Sequence, residues 1–287
     1  MHNENSPSLS PESLLAAHPE WYHSIELAPG VVTPGRAPLS SWQTELRDLR
    51  LPDLRGKSVL DIGAYDGFFS FETERLGAAR VVALDHYIWS ADMVAYMADF
   101  RAARAVGKTI PSPHDTAHWR PDELPGKRPF DAVRRCLDSK VESVVGDFMT
   151  IDPAEIGTFD VVLFLGVLYH LENPLLSMRK VAQFVNPGGL CVVETAAMEI
   201  PGSGDRAFCE FFPGQELNDD ASNWWAPNAA ALCGLCRASG FSAARVLPSR
   251  KSQSPVRKAT RAVKSVVAQL PLVSMPLRYR AIAHAIR

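Results

Sequence analysis

Ser58-Val-Leu-Asp-Ile-Gly-Ala-Tyr-Asp-Gly67 and the later run Val81-Val-Ala-Leu-Asp85 decide the fold of this chain. An apolar run that ends in an acid, a glycine turn, a helical segment and a second such run predict a nucleotide-binding βαβ unit. Gly63 and Gly67 let the backbone approach a ligand closely. Asp85 is placed to accept hydrogen bonds from two ribose hydroxyls, so we expect an adenosine pocket.

The turn lacks the features of two common nucleotide sites. A dinucleotide fingerprint needs glycines where this chain carries Tyr65 and Phe68. No Lys-Ser/Thr pair follows the turn to cradle a triphosphate. The sequence therefore disfavours NAD and nucleoside triphosphates as ligands.

Later segments predict the rest of an α/β sheet. Val144-Val-Gly-Asp147-Phe148 indicates a short buried strand, then an acid for an adenine amino group and an aromatic ring for its face. The run from Phe159 to His170 is an apolar strand with a polar tip. Asn173-Pro174 opens a helix that Asn186-Pro-Gly-Gly189 stops, and Leu190-Cys-Val-Val-Glu194 is the next strand. We expect a parallel sheet with its ligand at the carboxyl ends of the strands.

These motifs carry a resemblance to a known family. The pattern Asp-x-Gly-x-x-x-Gly at residues 61–67 resembles the first motif of class I S-adenosylmethionine (SAM) methyltransferases, with Tyr65 departing from their usual Gly-x-Gly-x-Gly. From about residue 40 to 247 the chain resembles the group that includes the tRNA wobble-uridine carboxymethyltransferase, through Gly166-Val-Leu-Tyr-His170 and Val193-Glu-Thr195. The resemblance implies a Rossmann-like class I methyltransferase sheet, SAM-type binding and transfer of a one-carbon unit.

The predicted cofactor is SAM rather than carboxy-SAM. The carboxymethylating enzymes use a lysine upstream of the first motif, whereas the first lysine here is Lys57. Arginine binds carboxylates well, so the arginines at positions 36, 47, 50 and 55 keep carboxy-SAM open as the less favoured donor. The predicted cofactor-binding residues are Asp61, Gly63, Ala64, Tyr65, Gly67, Asp85, His86, Asp147, Phe148, Gly166 and Tyr169.

The domain organisation follows from the spacing of these motifs. Residues 1–56 form an N-terminal lid or cap segment, 57–248 the SAM-binding domain and 249–287 a basic C-terminal extension. A helical and Pro-rich insertion after the second strand covers about 86–140, and a second insertion after the fifth covers about 196–227.

The insertions supply the candidate acceptor residues. Paired tryptophans with amides and acids suit the binding of a hydroxylated ring. An equally favoured alternative is that the two tryptophans only cover the SAM pocket. His114 and His118 have a metal-like spacing, but flanking prolines argue against a regular helix there, and we predict no metal site. The predicted substrate-binding residues are Trp119, Glu194, Glu210, Asn223, Trp224 and Trp225.

His170 is the predicted catalytic base. It ends the fourth strand, beside the expected methyl position, and an imidazole suits proton transfer near neutral pH. The alternative is that it only orients the following helix. Tyr169 is expected to line the sulfonium side, and Glu194 and Glu210 are backup bases.

Charge is distributed unevenly along the chain. The net charge is −2, but eleven of the 30 Lys and Arg residues follow Asp220 and no acid does. Residues 256–270 show an amphipathic basic pattern. Such a tail contacts acidic lipid, RNA or the chain's own acidic body, and the last of these is favoured.

The leading prediction is a SAM-dependent methyltransferase that O-methylates a hydroxylated small molecule or saccharide, in natural-product or glycan biosynthesis. A tRNA wobble-uridine modifying enzyme is the first alternative, although the acidic body opposes phosphate binding. A SAM-binding partner protein without catalysis is the second. Five scattered cysteines and the absence of a signal pattern predict a cytoplasmic location, and the sequence sets no oligomeric state.

Overall fold

The computed structural model describes residues 10–200, 205–218, 220, 222–248 and 276–287. The chain divides into two compact units, residues 1–148 and 149–287. The amphipathic pattern predicted at residues 256–270 lies outside the described residues.

The strands of the first unit are β1 (Glu26–Ala28), β2 (Val31–Val32), β3 (Ser58–Ile62), β4 (Arg80–Asp85) and β5 (Glu142–Val145). The last three are parallel and lie side by side in the order β3, β4, β5. A short antiparallel pair, β1 and β2, precedes them. The helices of this unit are α1 (Pro11–Ala17), α2 (Leu39–Asp48), α3 (Phe68–Arg75), α4 (Tyr87–Ser90), α5 (Met93–Ala105) and α6 (Arg128–Cys136).

The turn between β3 and α3 requires a glycine. Gly67 has a φ of +89°, a conformation that L side chains rarely adopt. A Cβ there would lie 2.4 Å from the Phe71 ring and 2.7 Å from the Phe130 ring. The aromatic core therefore closes directly against the backbone of the predicted turn.

The strands of the second unit are β6 (Phe159–Leu165), β7 (Val185–Glu199), β8 (Cys209–Phe211), β9 (Trp225–Pro227), β10 (Ala243–Val246) and β11 (Leu277–Ile286). Four of them pair in the order β10, β11, β7, β6. β6 and β7 are parallel, whereas β11 runs antiparallel to both of its neighbours. The helices of this unit are α7 (Pro153–Ile156), α8 (Pro174–Gln183) and α9 (Ala229–Ala238).

Together these elements confirm the Rossmann-like α/β class predicted from the sequence. α8 begins as predicted, because the side chain of Asn173 accepts a hydrogen bond from the amide of Leu176 and Pro174 occupies the first turn. Within the described ranges, none of the helices combines the length and the apolar character needed to cross a bilayer.

The structure departs from the predicted C-terminal extension at its last segment. Leu277–Ile286 is a strand between β7 and β10 rather than part of a separate tail. Ala281, Ala283 and Ala285 alternate into the core, each at most 1% exposed. The high proportion of basic residues concealed this period-2 pattern in the sequence.

Two strands also differ from the prediction. β5 was expected to be buried, but it is the last strand of its unit's series and Val145 is exposed. An edge strand has only one neighbour to cover it. β7 is predicted at residues 190–194, but it runs from Val185 to Glu199, so the residues 186–189 predicted to stop α8 lie inside the strand. It continues to Glu199 because β11 pairs with residues 190–199.

Candidate functional site

The turn after β3 has the unusual backbone expected of a ligand-binding loop. Gly63, Tyr65 and Gly67 all have positive φ, at 81°, 53° and 89°. Tyr65 is the residue where a glycine is usual, and its strained backbone is held by the indole of Trp89, which donates to its carbonyl oxygen at 2.7 Å. Ala64 is buried in the same turn. The structure thus keeps the predicted turn with an aromatic side chain at its centre.

Asp85 ends β4 and organises this turn. Its carboxylate accepts hydrogen bonds from the amides of Tyr65 and Ile88, each at 3.0 Å. Burial raises the pKa of Asp85, and neighbouring backbone amides oppose that rise. The amides of Trp89 and His86 also donate to this carboxylate, so four backbone amides hold it at the turn. Its contact with ribose hydroxyls stays a prediction.

Asp61 lies inside the fold beneath the turn. It is 3% exposed, and the hydroxyl of Ser70 donates to it at 2.6 Å. Burial raises the pKa of Asp61 to about 6. The sequence placed Asp61 among the cofactor-binding residues, and its bond to α3 gives it a part in joining β3 to that helix.

We expect Asp61→Asn to stabilise the protein above pH 6. The folded carboxyl keeps its proton up to about pH 6, whereas the unfolded one loses it near 3.8. The free energy of unfolding therefore falls as pH rises through this window, by about 3 kcal/mol in total. Urea unfolding of the wild type and of Asp61→Asn from pH 4 to 8 measures this pH dependence, with Asp122→Asn, a change at an exposed residue, as control. A difference that does not change with pH would contradict this role of burial.

The sequence did not reveal a clamp between the N-terminal segment and the turn. The buried carboxylate of Asp66 accepts from the amides of Tyr22 at 3.1 Å and of His23 at 2.8 Å, and the His23 imidazole lies 2.5 Å from it. The Tyr22 ring centroid is 5.0 Å from that of Tyr65, and the His23 ring stacks on Phe68. The predicted lid segment is therefore fastened to the first motif through buried hydrogen bonds. Asp66 lay within the quoted motif, but nothing in the sequence paired it with residues 22 and 23.

Three of the four N-terminal arginines have surroundings that differ from one another. Arg36 places its guanidinium carbon 4.8 Å from the centroid of the Tyr22 ring, beside the turn. Arg55 forms an exposed ion pair with Asp53, and Arg47 donates to the hydroxyl of Thr44. Of these three, Arg36 is the cation that the structure brings to the first-motif turn.

Trp119 and His86 meet in the first insertion. Their ring centroids are 5.2 Å apart, and the exposed His114 lies 4.7 Å from Trp119 on the same basis. His118 lies 2.9 Å from a carboxylate oxygen of Asp99. The indole thus packs beside the residue that follows Asp85.

The two other cofactor-binding candidates of the first unit follow β5. Phe148 is buried, whereas Asp147 is exposed. They stay predicted contacts for adenine.

In the second unit, the motif Gly166 to His170 forms the turn after β6. Gly166 has a φ of +73°, and its amide donates to the carbonyl oxygen of Glu194 at 2.9 Å. A Cβ at Gly166 would lie 3.6 Å from an Arg280 nitrogen and 3.8 Å from the Tyr169 hydroxyl oxygen. The motif glycine therefore faces a cation and a phenol that come from distant parts of the sequence.

Arg280 is a functional candidate that the sequence analysis missed. It forms a two-pronged ion pair with Glu194 and holds its guanidinium carbon 4.7 Å from the centroid of the Tyr169 ring. Two residues earlier on β11, Arg278 pairs with Glu210 at 3.1 Å. The predicted backup bases Glu194 and Glu210 are thus both engaged by arginines.

His170 has a hydrogen-bonded partner on the loop before β9. Its Nδ1 lies 3.0 Å from the carbonyl oxygen of Ser222 and 2.9 Å from the Ser222 hydroxyl oxygen. The hydroxyl donates to Asp220 at 2.7 Å. Burial lowers the pKa of His170, and the charge of Asp220 opposes this. A neutral imidazole at pH 7 is the form a general base requires.

The remaining acceptor candidates surround the β8–β9 hairpin. Asn223 donates to the carbonyl oxygen of Leu217, and its own buried Oδ1 lacks a hydrogen-bond partner among the described residues, as does Oε2 of Glu210. The indole N–H of Trp225 donates to the carbonyl oxygen of Leu171, and the backbone amide of Trp224 donates to the carbonyl oxygen of Tyr169. The tryptophans therefore fix the turn that carries His170.

The residues of the first unit fit an adenosyl ligand. Asp85 places a carboxylate at the turn, Gly63 and Gly67 give that turn its positive-φ backbone, and the Phe148 ring follows β5. These are the chemical groups that an adenosine requires, without a phosphate-binding element.

Comparison with known proteins gives a consistent result. A protein-family profile described as a methyltransferase domain matches residues 38–246. The tRNA U34 carboxymethyltransferase of Dichelobacter nodosus is 27% identical over 197 residues, which are 67% of this chain and 49% of that protein. The protein of the same name from Idiomarina loihiensis is 25% identical over 206 residues, 70% of this chain and 50% of that one. The chain spans about half the length of these curated relatives.

Solved structures share the fold. The N-terminal domain of EvdMO1, solved with SAH bound, aligns with 96% of this chain and 95% of its own, at a TM-score of 0.52 and 15% identity. At that identity the likeness concerns the fold alone.

Proposed function

Because the chain belongs to the methyltransferase-domain family, we propose that it transfers a methyl group from SAM to an acceptor hydroxyl. Bound SAM supplies a methyl group activated by a sulfonium. The chain's own part is to hold the donor, orient the acceptor and take up the acceptor proton. Orientation matters most, because an in-line displacement gains much of its rate from holding the reacting atoms in line.

The proposed donor site uses the first unit. Asp85 accepts from ribose hydroxyls, and Asp147 and Phe148 hold the adenine. The clamp through Asp66 supports this arrangement, because it fastens the N-terminal segment to the turn with buried hydrogen bonds. In the second unit His170 takes the acceptor proton.

The proposed acceptor is a hydroxyl on a tRNA nucleoside. One observation carries this proposal: curated relatives that match 67–72% of the chain are named tRNA U34 carboxymethyltransferases. These names favour the tRNA alternative over the small-molecule O-methylation that was preferred from the sequence.

A hydroxylated small molecule or saccharide is the second candidate. Asn223 Oδ1 and Glu210 Oε2 favour it: both are buried without a hydrogen-bond partner in the part of the chain that the structure describes, and buried acceptors call for donors such as sugar hydroxyls. The excess of acidic over basic residues between residues 1 and 220 also favours the small-molecule acceptor, since negative charge repels a phosphate backbone.

Incubation with SAM labelled in the methyl group and with undermodified tRNA tests the acceptor. We expect label in the tRNA, located by nuclease digestion and mass spectrometry of the nucleosides, and transfer that declines as salt is raised. Asp85→Ala serves as the control that should lose SAM binding and transfer together.

Each other outcome rejects the tRNA proposal in a different way. Label confined to a small-molecule extract would establish the second candidate. SAM binding with no transfer to either acceptor pool would favour a non-catalytic partner protein.

A further inference from the structure

We propose that Ser222 and Asp220 are positioning residues that fix His170 in the tautomer whose Nε2 accepts the acceptor proton. This inference rests on the proposed function, because it assigns the base of the same transfer. As the acceptor oxygen bonds to the methyl carbon, the carbon–sulfur bond breaks with its electron pair on sulfur. The proton of the acceptor hydroxyl passes to Nε2.

The carbonyl oxygen of Ser222 determines the tautomer. It lies 3.0 Å from Nδ1 of His170, and a carbonyl oxygen can only accept a hydrogen bond. Nδ1 therefore carries the hydrogen, and in the neutral ring the lone pair is on Nε2. The assignment follows from the chemistry of the partner.

The hydroxyl of Ser222 adds orientation. Its hydrogen points to Asp220 Oδ1 at 2.7 Å, so its lone pairs are free to accept from Nδ1 of His170 at 2.9 Å. The Ser222 amide also donates to that same carboxylate oxygen, at 2.9 Å. A carboxylate, a hydroxyl and an imidazole thus form one directed chain of hydrogen bonds.

Asp220 supplies the charge behind this chain. Burial lowers the pKa of His170, the Asp220 charge and the Ser222 backbone raise it, and the Arg280 charge lowers it. Among the described residues, the phenol of Tyr169 is a further titratable group beside it, with its ring centroid 4.1 Å from that of the imidazole. Asp220 is therefore the charge among these that favours the imidazolium formed when Nε2 takes a proton.

Nitrogen NMR of the histidine-labelled, full-length protein with added SAH tests the positioning without any acceptor. We expect wild-type His170 to show hydrogen on Nδ1 and a bare Nε2. Asp220→Asn should lower the pKa of His170, and Ser222→Ala, which removes only the intervening hydroxyl, should reproduce part of that shift. Asp205→Asn removes an acid from the same insertion and should leave the His170 signals unchanged.

Kinetics with undermodified tRNA give the second readout. Asp220→Asn should lower kcat with little change in KM for tRNA, and should move the acid limb of kcat to lower pH. A structural role alone would change stability but would not shift that limb.

The outcomes separate the two proposals. Hydrogen on Nε2 in the wild type, or an unchanged His170 pKa in Asp220→Asn, would overturn the positioning role even where tRNA is methylated. The expected NMR result without tRNA turnover would retain the positioning role and reject tRNA as the acceptor.

Discussion

His170→Ala is expected to lower methyl transfer by about 10²- to 10⁴-fold while SAM binding is retained. The imidazole is the group that the structure holds neutral, with its Nδ1 engaged by Ser222 and its Nε2 left to accept a proton. The proposed donor contacts come from side chains other than His170, namely Asp85, Asp147 and Phe148, so the loss of the imidazole leaves them in place. Single-turnover rates and calorimetric SAM affinity for wild type and variant measure the two effects separately.

The pH dependence of wild-type turnover should agree with this role. Burial lowers the pKa of His170 below its ordinary value of 6.5, so the neutral base is already formed at pH 7. Turnover should rise as pH increases through that lowered pKa and then reach a plateau. A His170→Ala enzyme with the wild-type rate, or with the same acid limb, would assign His170 a purely structural role.

Arg280→Met should reduce the free energy of unfolding by about 3–5 kcal/mol. The side chain of Glu194 is 5% exposed, so removal of its partner leaves a buried carboxylate without its cation. Glu194→Gln should cost less, because the Arg280 side chain is 36% exposed and can be hydrated. Urea unfolding of each variant at one pH gives the comparison.

Arg278→Met is the matched control on the same strand. Arg278 and its partner Glu210 are both partly exposed, and the loss of such an ion pair costs about 0–1 kcal/mol. Combining Arg280→Met with Glu194→Gln should cost less than the two single losses added together, since neither charge is then left unpaired. Equal losses for Arg278→Met and Arg280→Met would show that burial of Glu194 does not govern this region.

Local chemistry in the sequence specified several elements and the turn after β3. Gly63 and Gly67 marked a turn whose backbone needs positive φ, and both have it. Asn173-Pro174 marked the start of a helix, because an amide side chain can cap the free N–H groups there. Such signals act over a few residues, so the order of amino acids is sufficient to read them.

The partners of His170 and Glu194 and the position of the last strand were decided by tertiary structure. Ser222 lies 52 residues from His170, and Arg280 lies 86 residues from Glu194. Nothing local distinguishes this serine or this arginine from others in the chain, because their partners are set by strand register and by the hairpin that covers the sheet. β11 shows the same limit, since its alternation of buried alanines acquires meaning only once β7 is beside it. The sequence by itself therefore determined the class of fold and the position of the turn after β3, whereas long-range pairing decided which charges meet and which nitrogen of His170 faces Ser222.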